Sequence, residues 1–142
     1  MSISIVRLGS PRGPSEGLRI GTVRRPPRGV PKAQFAARDF YDLWLPALSP
    51  SPALLTMGQR AADDRAWKVF ERKFTKEMSA ADASRVLDLL AALSHQTNFS
   101  VGCYCEDEHR CHRSVLKRLL TDRGADVVEG AAILSRTPAR RA

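Results

Sequence analysis

The chain has no apolar run near the ~20 consecutive residues needed to cross a bilayer, and its opening Met1–Gly13 lacks the basic start and apolar block of a secretory leader. A cytoplasmic protein without membrane association is the expectation. Cysteine is scarce: the three present are an odd number confined to positions 103–111, which excludes the paired framework of small secreted domains. Aromatic residues make up only 6% of the chain, with two Trp and two Tyr, so platforms on which nucleic-acid bases stack are few. There is no Gly-rich phosphate loop, no Ser-His-Asp arrangement and no helical His-x-x-x-His pair, and no cofactor is expected.

What is present suffices for one domain. Of 142 residues 43% are apolar, a length and composition that bury a real core. The net charge of +8 is unevenly spread. Residues 1–32 carry seven basic groups against one acid, the tail from Ser135 carries Arg136, Arg140 and Arg141 with no acid, and the 102 residues between stand at −1. Basic character in two terminal segments points to an anionic partner, a phosphate-bearing small molecule or nucleic acid. A flexible, solubilising tail over residues 131–142 is the plain alternative.

The pattern along the chain predicts an α/β fold over residues 1–130: a single compact domain with a small, mostly parallel sheet flanked by helices, Rossmann-like and three-layered. "SISIVRL" and "LRIGTVRR" read as strands, the second with Leu18 and Ile20 on one face and Arg19 and Val23 on the other. A helical stretch follows with Phe35, Phe40, Leu43 and Trp44. "SPSPALLTMG" reads as a short helix capped by Ser51, with Pro52 first and Gly58 past its end. Trp67, Phe70, Phe74 and Met78 recur at helical spacing, and Ser79 with Asp82 marks another helix whose buried face is Val86, Leu87, Leu90 and Leu93. "NFSVGCYC", "CHRSVLKRLLTDRG" and "ADVVEG" make strand, helix and strand, with Gly124 as the helix stop.

The chemistry concentrates in "VGCYCEDEHRCHRSVL", Val101–Leu116. Its loop connects a strand end to a helix start, the edge at which open α/β sheets bind ligands. Four readings stay open. As a metal site, Cys103, Cys105, His109, Cys111 and His112 supply thiolates and imidazoles, but the C-x-C-x₅-C-H spacing is not that of zinc knuckles, and no metal is expected. As a reactive thiol, Cys111 lies at a helix N-terminus that favours a thiolate, with His109 or His112 as acid–base partner and Glu106, Asp107 and Glu108 opposing. As an anion site, the same helix start with Arg113 and Ser114 holds a phosphate or carboxylate. As packing, the cysteines are small buried hydrophobes. "RRPPRGV" adds Arg24, Arg25, Arg28 and Gly29 on a fixed turn, suited to a phosphate clamp or to a solvated basic loop. Arg7 and Arg19 on the first two strands are further charge partners.

"SEGLRIGTVRRPPRGVPK", "FYDLWLPALSPSPAL", "AWKVFERKFTKEM" and "CHRSVLKRLL", with Arg7 on the opening strand, together resemble the YeaO-like proteins, domain of unknown function 488, over about residues 1–130. The resemblance implies a compact α/β fold and a soluble intracellular protein, and no established activity. Pro26-Pro27 stand where that family commonly has Leu-Trp, so an aromatic wall is missing. The leading expectation is an anionic, phosphate-bearing ligand at the Cys-His-Arg helix start. The alternatives are an enzyme or redox protein using Cys111, and nucleic-acid association through the basic termini.

Overall fold

The computed structural model describes residues 1–105 and 111–129. Among these, five strands form one all-parallel sheet: β1 (Ile3–Arg7), β2 (Leu18–Gly21), β3 (Leu43–Trp44), β4 (Phe99–Cys103) and β5 (Val127–Glu129), in the spatial order β3-β2-β4-β1-β5. Four α-helices accompany it: α1 (Pro52–Gln59), α2 (Asp64–Met78), α3 (Ala81–Leu93) and α4 (His112–Asp122). The fold is α/β, as the alternation of strand and helix patterns predicts. No helix among the described residues is long and apolar enough to cross a membrane.

Register explains the two faces of the sheet. Ile5 of β1 pairs with Val101 of β4, which pairs with Ile20 of β2. Side chains in register point to the same side of a parallel sheet. These three join Ile3 and Phe99 in the main core with Phe70 and Phe74 of α2, Leu87 of α3 and Val115 and Leu116 of α4. The Trp67–Met78 stripe is buried as its spacing predicts. Asp63 caps α2 by accepting from the Ala66 N–H, and Ser51 caps α1 by accepting from Leu54.

All four helices contribute to the core on that face. The opposite face carries buried polar groups beside Val6 and is covered by loop in place of the expected third layer. Ser4, Ser100 and Arg19 share it, all buried. The guanidinium of Arg19, 0% exposed, donates Nε–H to Glu16 Oε2 at 2.7 Å and Nη2–H to Oε1 at 2.9 Å. Ser100 Oγ donates to the same carboxylate at 2.6 Å, and Arg19 Nη1 donates to the carbonyls of Ser10 and Asp39. Burial pushes the Glu16 carboxyl up, but the hydrogen bonds from Arg19, Ser100 and the Gly13 N–H outweigh it and hold the group below its ordinary value. Glycine makes room for this layer: a Cβ at Gly21 would overlap the Tyr41 ring, and one at Gly17, where φ is +76°, would overlap the Asn98 carbonyl.

Several local expectations change. Phe35–Trp44 forms no α-helix: a 3₁₀ turn at Lys32–Gln34 leads through irregular chain to the edge strand β3. Asp39 takes a left-handed φ of 62°, and its carbonyl accepts from Gly9 N–H and Arg19. The Asp42 carboxylate accepts from the Arg19 N–H and from both terminal nitrogens of Arg12. Tertiary partners thus use the groups a helix would need. Gly58 lies inside α1 rather than past it, and glycine suits this position because a Cβ there would sit 2.7 Å from the Phe70 ring. On α3, Leu93 is 37% exposed, and Ala83 and Ala91 complete the buried face with Leu87 and Leu90.

Candidate functional site

β1, β2 and β4 run parallel, so their carboxyl ends meet α4's first turn at one edge of the sheet. Cys103 ends β4 and is buried. Cys111 is the residue before α4, extended at φ −133° and ψ 151°, and its side chain does not cap the helix. Its carbonyl accepts from the Ser114 N–H and Ser114 Oγ instead, which leaves the sulfur to turn inward at 1% exposure. There it meets the sulfur of Cys103, with the two Cα atoms 7.9 Å apart. Both belong to a second small apolar cluster with Leu8, Val23 and Tyr41.

His112 completes the group. Its Nε2 lies 2.6 Å from the Thr22 carbonyl, and its Nδ1 lies 3.8 Å from Cys111 Sγ. A carbonyl only accepts, so Nε2 carries the hydrogen and Nδ1 presents its lone pair to the sulfur. The ring stands edge-on to Phe74. Burial lowers its pKa to about 4, aided by the charge of Arg113 and opposed by the Thr22 carbonyl, so the imidazole is neutral at pH 7.

A cleft of about 500 Å³ opens over this group. Cys103, Cys105 and His112 border it from below, the Arg24–Arg28 turn from the side, and Phe40, Leu55 and Tyr104 supply apolar wall. Arg24 is a strut: Nε donates to the Pro50 carbonyl at 3.1 Å and Nη2 to that of Ser49 at 3.2 Å. Tyr104 Oη donates to the Arg25 carbonyl at 2.9 Å and so ties the turn to the end of β4. Burial raises the Tyr104 pKa, so this hydroxyl keeps its proton. Arg25 and Arg28 are exposed at the rim.

The remaining site residues read from the sequence fall elsewhere. Arg113 is buried and donates Nη2–H to the Cys105 carbonyl at 2.6 Å. Arg7 donates Nε–H to the Tyr104 carbonyl at 3.3 Å. These two arginines therefore brace the segment that forms the cleft floor. Arg19 is held in the Glu16 network, and Ser114 is engaged with Cys111. Gly29 turns the chain at φ +70° with open space around it. His109, Glu106, Asp107, Glu108 and the basic tail lie outside the described residues. Sequence reasoning missed the walls Phe40, Leu55 and Tyr104. For Tyr104 a signal existed, since it stands between two cysteines of a strand end.

Chemically, the arrangement offers two sulfurs and a neutral imidazole nitrogen beneath a rim of guanidinium groups. A protein-family model, that of the active DUF488-N3 subclade, matches residues 3–124. No curated protein and no solved structure gives a significant match.

Proposed function

The chain belongs to the DUF488-N3 subclade of the YeaO-like family, and we propose that its cleft binds a small phosphate-bearing anion whose reacting end lies over Cys103 and His112. One observation carries this reading: the Arg24–Arg28 turn and the sulfur–imidazole group border the same space. Arg25 and Arg28 are the charge partners, since Arg forks match phosphate oxygens. Arg24, Arg7 and Arg113 hold the walls in place. The apolar Phe40, Leu55 and Tyr104 favour a ligand with an organic body over a bare ion.

Calorimetric titration of the chain with inorganic phosphate, pyrophosphate and a nucleoside monophosphate tests it. Saturable binding that weakens in the double variant Arg25→Gln, Arg28→Gln is the expected result. Absence of saturation with all three probes, or equal affinity in the variant, removes the reading.

Thiol chemistry is a second reading, favoured by the contact of Cys103 with Cys111 beside the Nδ1 lone pair. Of the two cysteines, Cys103 lines the cleft and Cys111 lies behind it, both of them buried. Reduced protein would then show alkylation of Cys103 at neutral pH faster than that of a free cysteine. A rate at or below the free-thiol rate excludes it.

A further inference from the structure

The sulfurs of Cys103 and Cys111 and a ring nitrogen of His112 all lie within 4.8 Å of one another, and all three side chains are buried. We infer that in the reduced chain these atoms form a three-ligand zinc site whose fourth position opens into the cleft.

Geometry supports this assignment in three respects. Tetrahedral zinc, with Zn–S of about 2.3 Å and Zn–N of about 2.0–2.1 Å, places its ligand atoms roughly 3.5–3.8 Å apart. The Cys111 Sγ to His112 Nδ1 distance is 3.8 Å. The Cα atoms of Cys103 and Cys111 are 7.9 Å apart, wider than the ~4.4–6.8 Å usual for cysteines joined to each other. The two sulfurs touch one another here, so the ion enters only once the pair is reduced and the sulfurs part, which the wide Cα separation leaves room for.

The third respect is the support of the imidazole. A histidine that ligates through one nitrogen commonly donates its other N–H to a backbone carbonyl, which fixes tautomer and ring plane. Thr22 provides that acceptor at 2.6 Å, and the ring is further set by Phe74. The Nδ1 lone pair is thereby aimed at the sulfurs before any ion arrives.

Structural zinc sites are closed by four protein ligands, whereas catalytic ones keep a position for water or substrate. Cys103 and His112 border the cleft, so the missing ligand comes from that side. Binding releases the two thiol protons to solvent and leaves a site of no net charge, Zn²⁺ with two thiolates. An ion there would act as a Lewis acid on an oxygen of the bound molecule or on a water. Only this last role rests on the cleft reading, because metal uptake needs neither Arg25 nor Arg28.

The test uses the full chain, reduced and then freed of reductant under nitrogen. Co²⁺ and Zn²⁺ are titrated in, the latter against a chromophoric chelator. One ion per chain is expected, with a thiolate-to-cobalt charge-transfer band in the near ultraviolet. Cys103→Ser, Cys111→Ser and His112→Gln should each weaken zinc binding by about tenfold or more, while Cys105→Ser should not. The Arg25→Gln, Arg28→Gln variant should bind the ion unchanged, so loss of anion binding and loss of metal binding are read separately. Bound zinc should also protect Cys103 and Cys111 from alkylation, which sets this site apart from a free-thiol one. Absence of the charge-transfer band in the unaltered chain overturns the proposal whether or not the variants fold. So does zinc affinity that survives all three ligand substitutions.

Discussion

The Nε2–H of His112, at the first turn of α4, donates to the carbonyl of Thr22, just beyond β2, across 90 residues of sequence. Thr22 Oγ1 in turn donates to the Gly102 carbonyl on β4. The hydrogen bond therefore joins the two strand ends and the helix that together frame the cleft.

Replacing His112 with Phe would keep a ring of similar shape against Phe74 but leave the Thr22 carbonyl without its donor. A buried acceptor stranded in this way costs about 1–3 kcal/mol. Urea denaturation of reduced, metal-free protein should show that loss at unchanged m-value.

The Glu16–Arg19 pair is buried on both sides, at 5% and 0% side-chain exposure. Glu16→Gln leaves the guanidinium charge uncompensated beneath the loop layer, a loss of about 3–5 kcal/mol. Stability measured by denaturant should fall by that order, and a shift below about 1 kcal/mol would contradict the network described.

Acid should act through the same groups. The folded-state values of Glu16 and Asp42 are lowered, in each case because hydrogen bonds outweigh the upward push of burial. Their contribution is fully present above the ordinary carboxylate range, ~3.9–4.3, and is lost as pH falls through the lowered folded values. Denaturation midpoints followed from pH 7 to pH 2 should drop in that acid window, and less steeply in Glu16→Gln. A flat profile would count against the network.

At Gly58 two effects oppose each other. Alanine in a helix interior gains about 1 kcal/mol over glycine, but the added carbon would sit 2.7 Å from the Phe70 ring. Overpacking of a fixed core ring costs about 1–3 kcal/mol, so Gly58→Ala should be net destabilising. A raised melting temperature would show that α1 can move away from α2.

Arg25 and Arg28 are exposed, so the double Gln variant should keep its stability to within about 0.5 kcal/mol while losing anion affinity. Arg113→Gln should behave in the opposite way in stability, since its guanidinium is buried and holds the Cys105 carbonyl. A loss of about 1–3 kcal/mol is expected there. The comparison by chemical denaturation separates rim from brace.

Much of the fold was readable because it is local. The Trp67–Met78 stripe announces α2 at helical spacing, Ser51-Pro52 announces the start of α1, and Gly124, at φ +83°, ends α4. The run Phe99–Cys103, buried at every position, reads as a central strand. Phe35–Trp44 has a helical pattern yet forms no α-helix, because its conformation depends on Gly9, Arg12 and Arg19. Periodicity carries no trace of partners supplied by another segment.

The site divides along the same line. That the Cys-His-Arg run sits at the carboxyl edge of a sheet follows from strand, loop and helix in succession, a pattern contained in about thirty neighbouring residues. Spacing, however, measures distance along the chain, and the sulfurs of Cys103 and Cys111 meet because β4 and α4 double back on each other. Arg19 reads from the sequence as a charge partner for a ligand, and only the placement of Glu16 and the Asp39 carbonyl beside it shows the buried network that holds it. The Arg24–Arg28 turn reaches the cysteines only because β2 lies parallel beside β4, a pairing set by backbone hydrogen bonds between residues some eighty positions apart. Those bonds are the same for every side chain, and so they leave no mark in the order of amino acids.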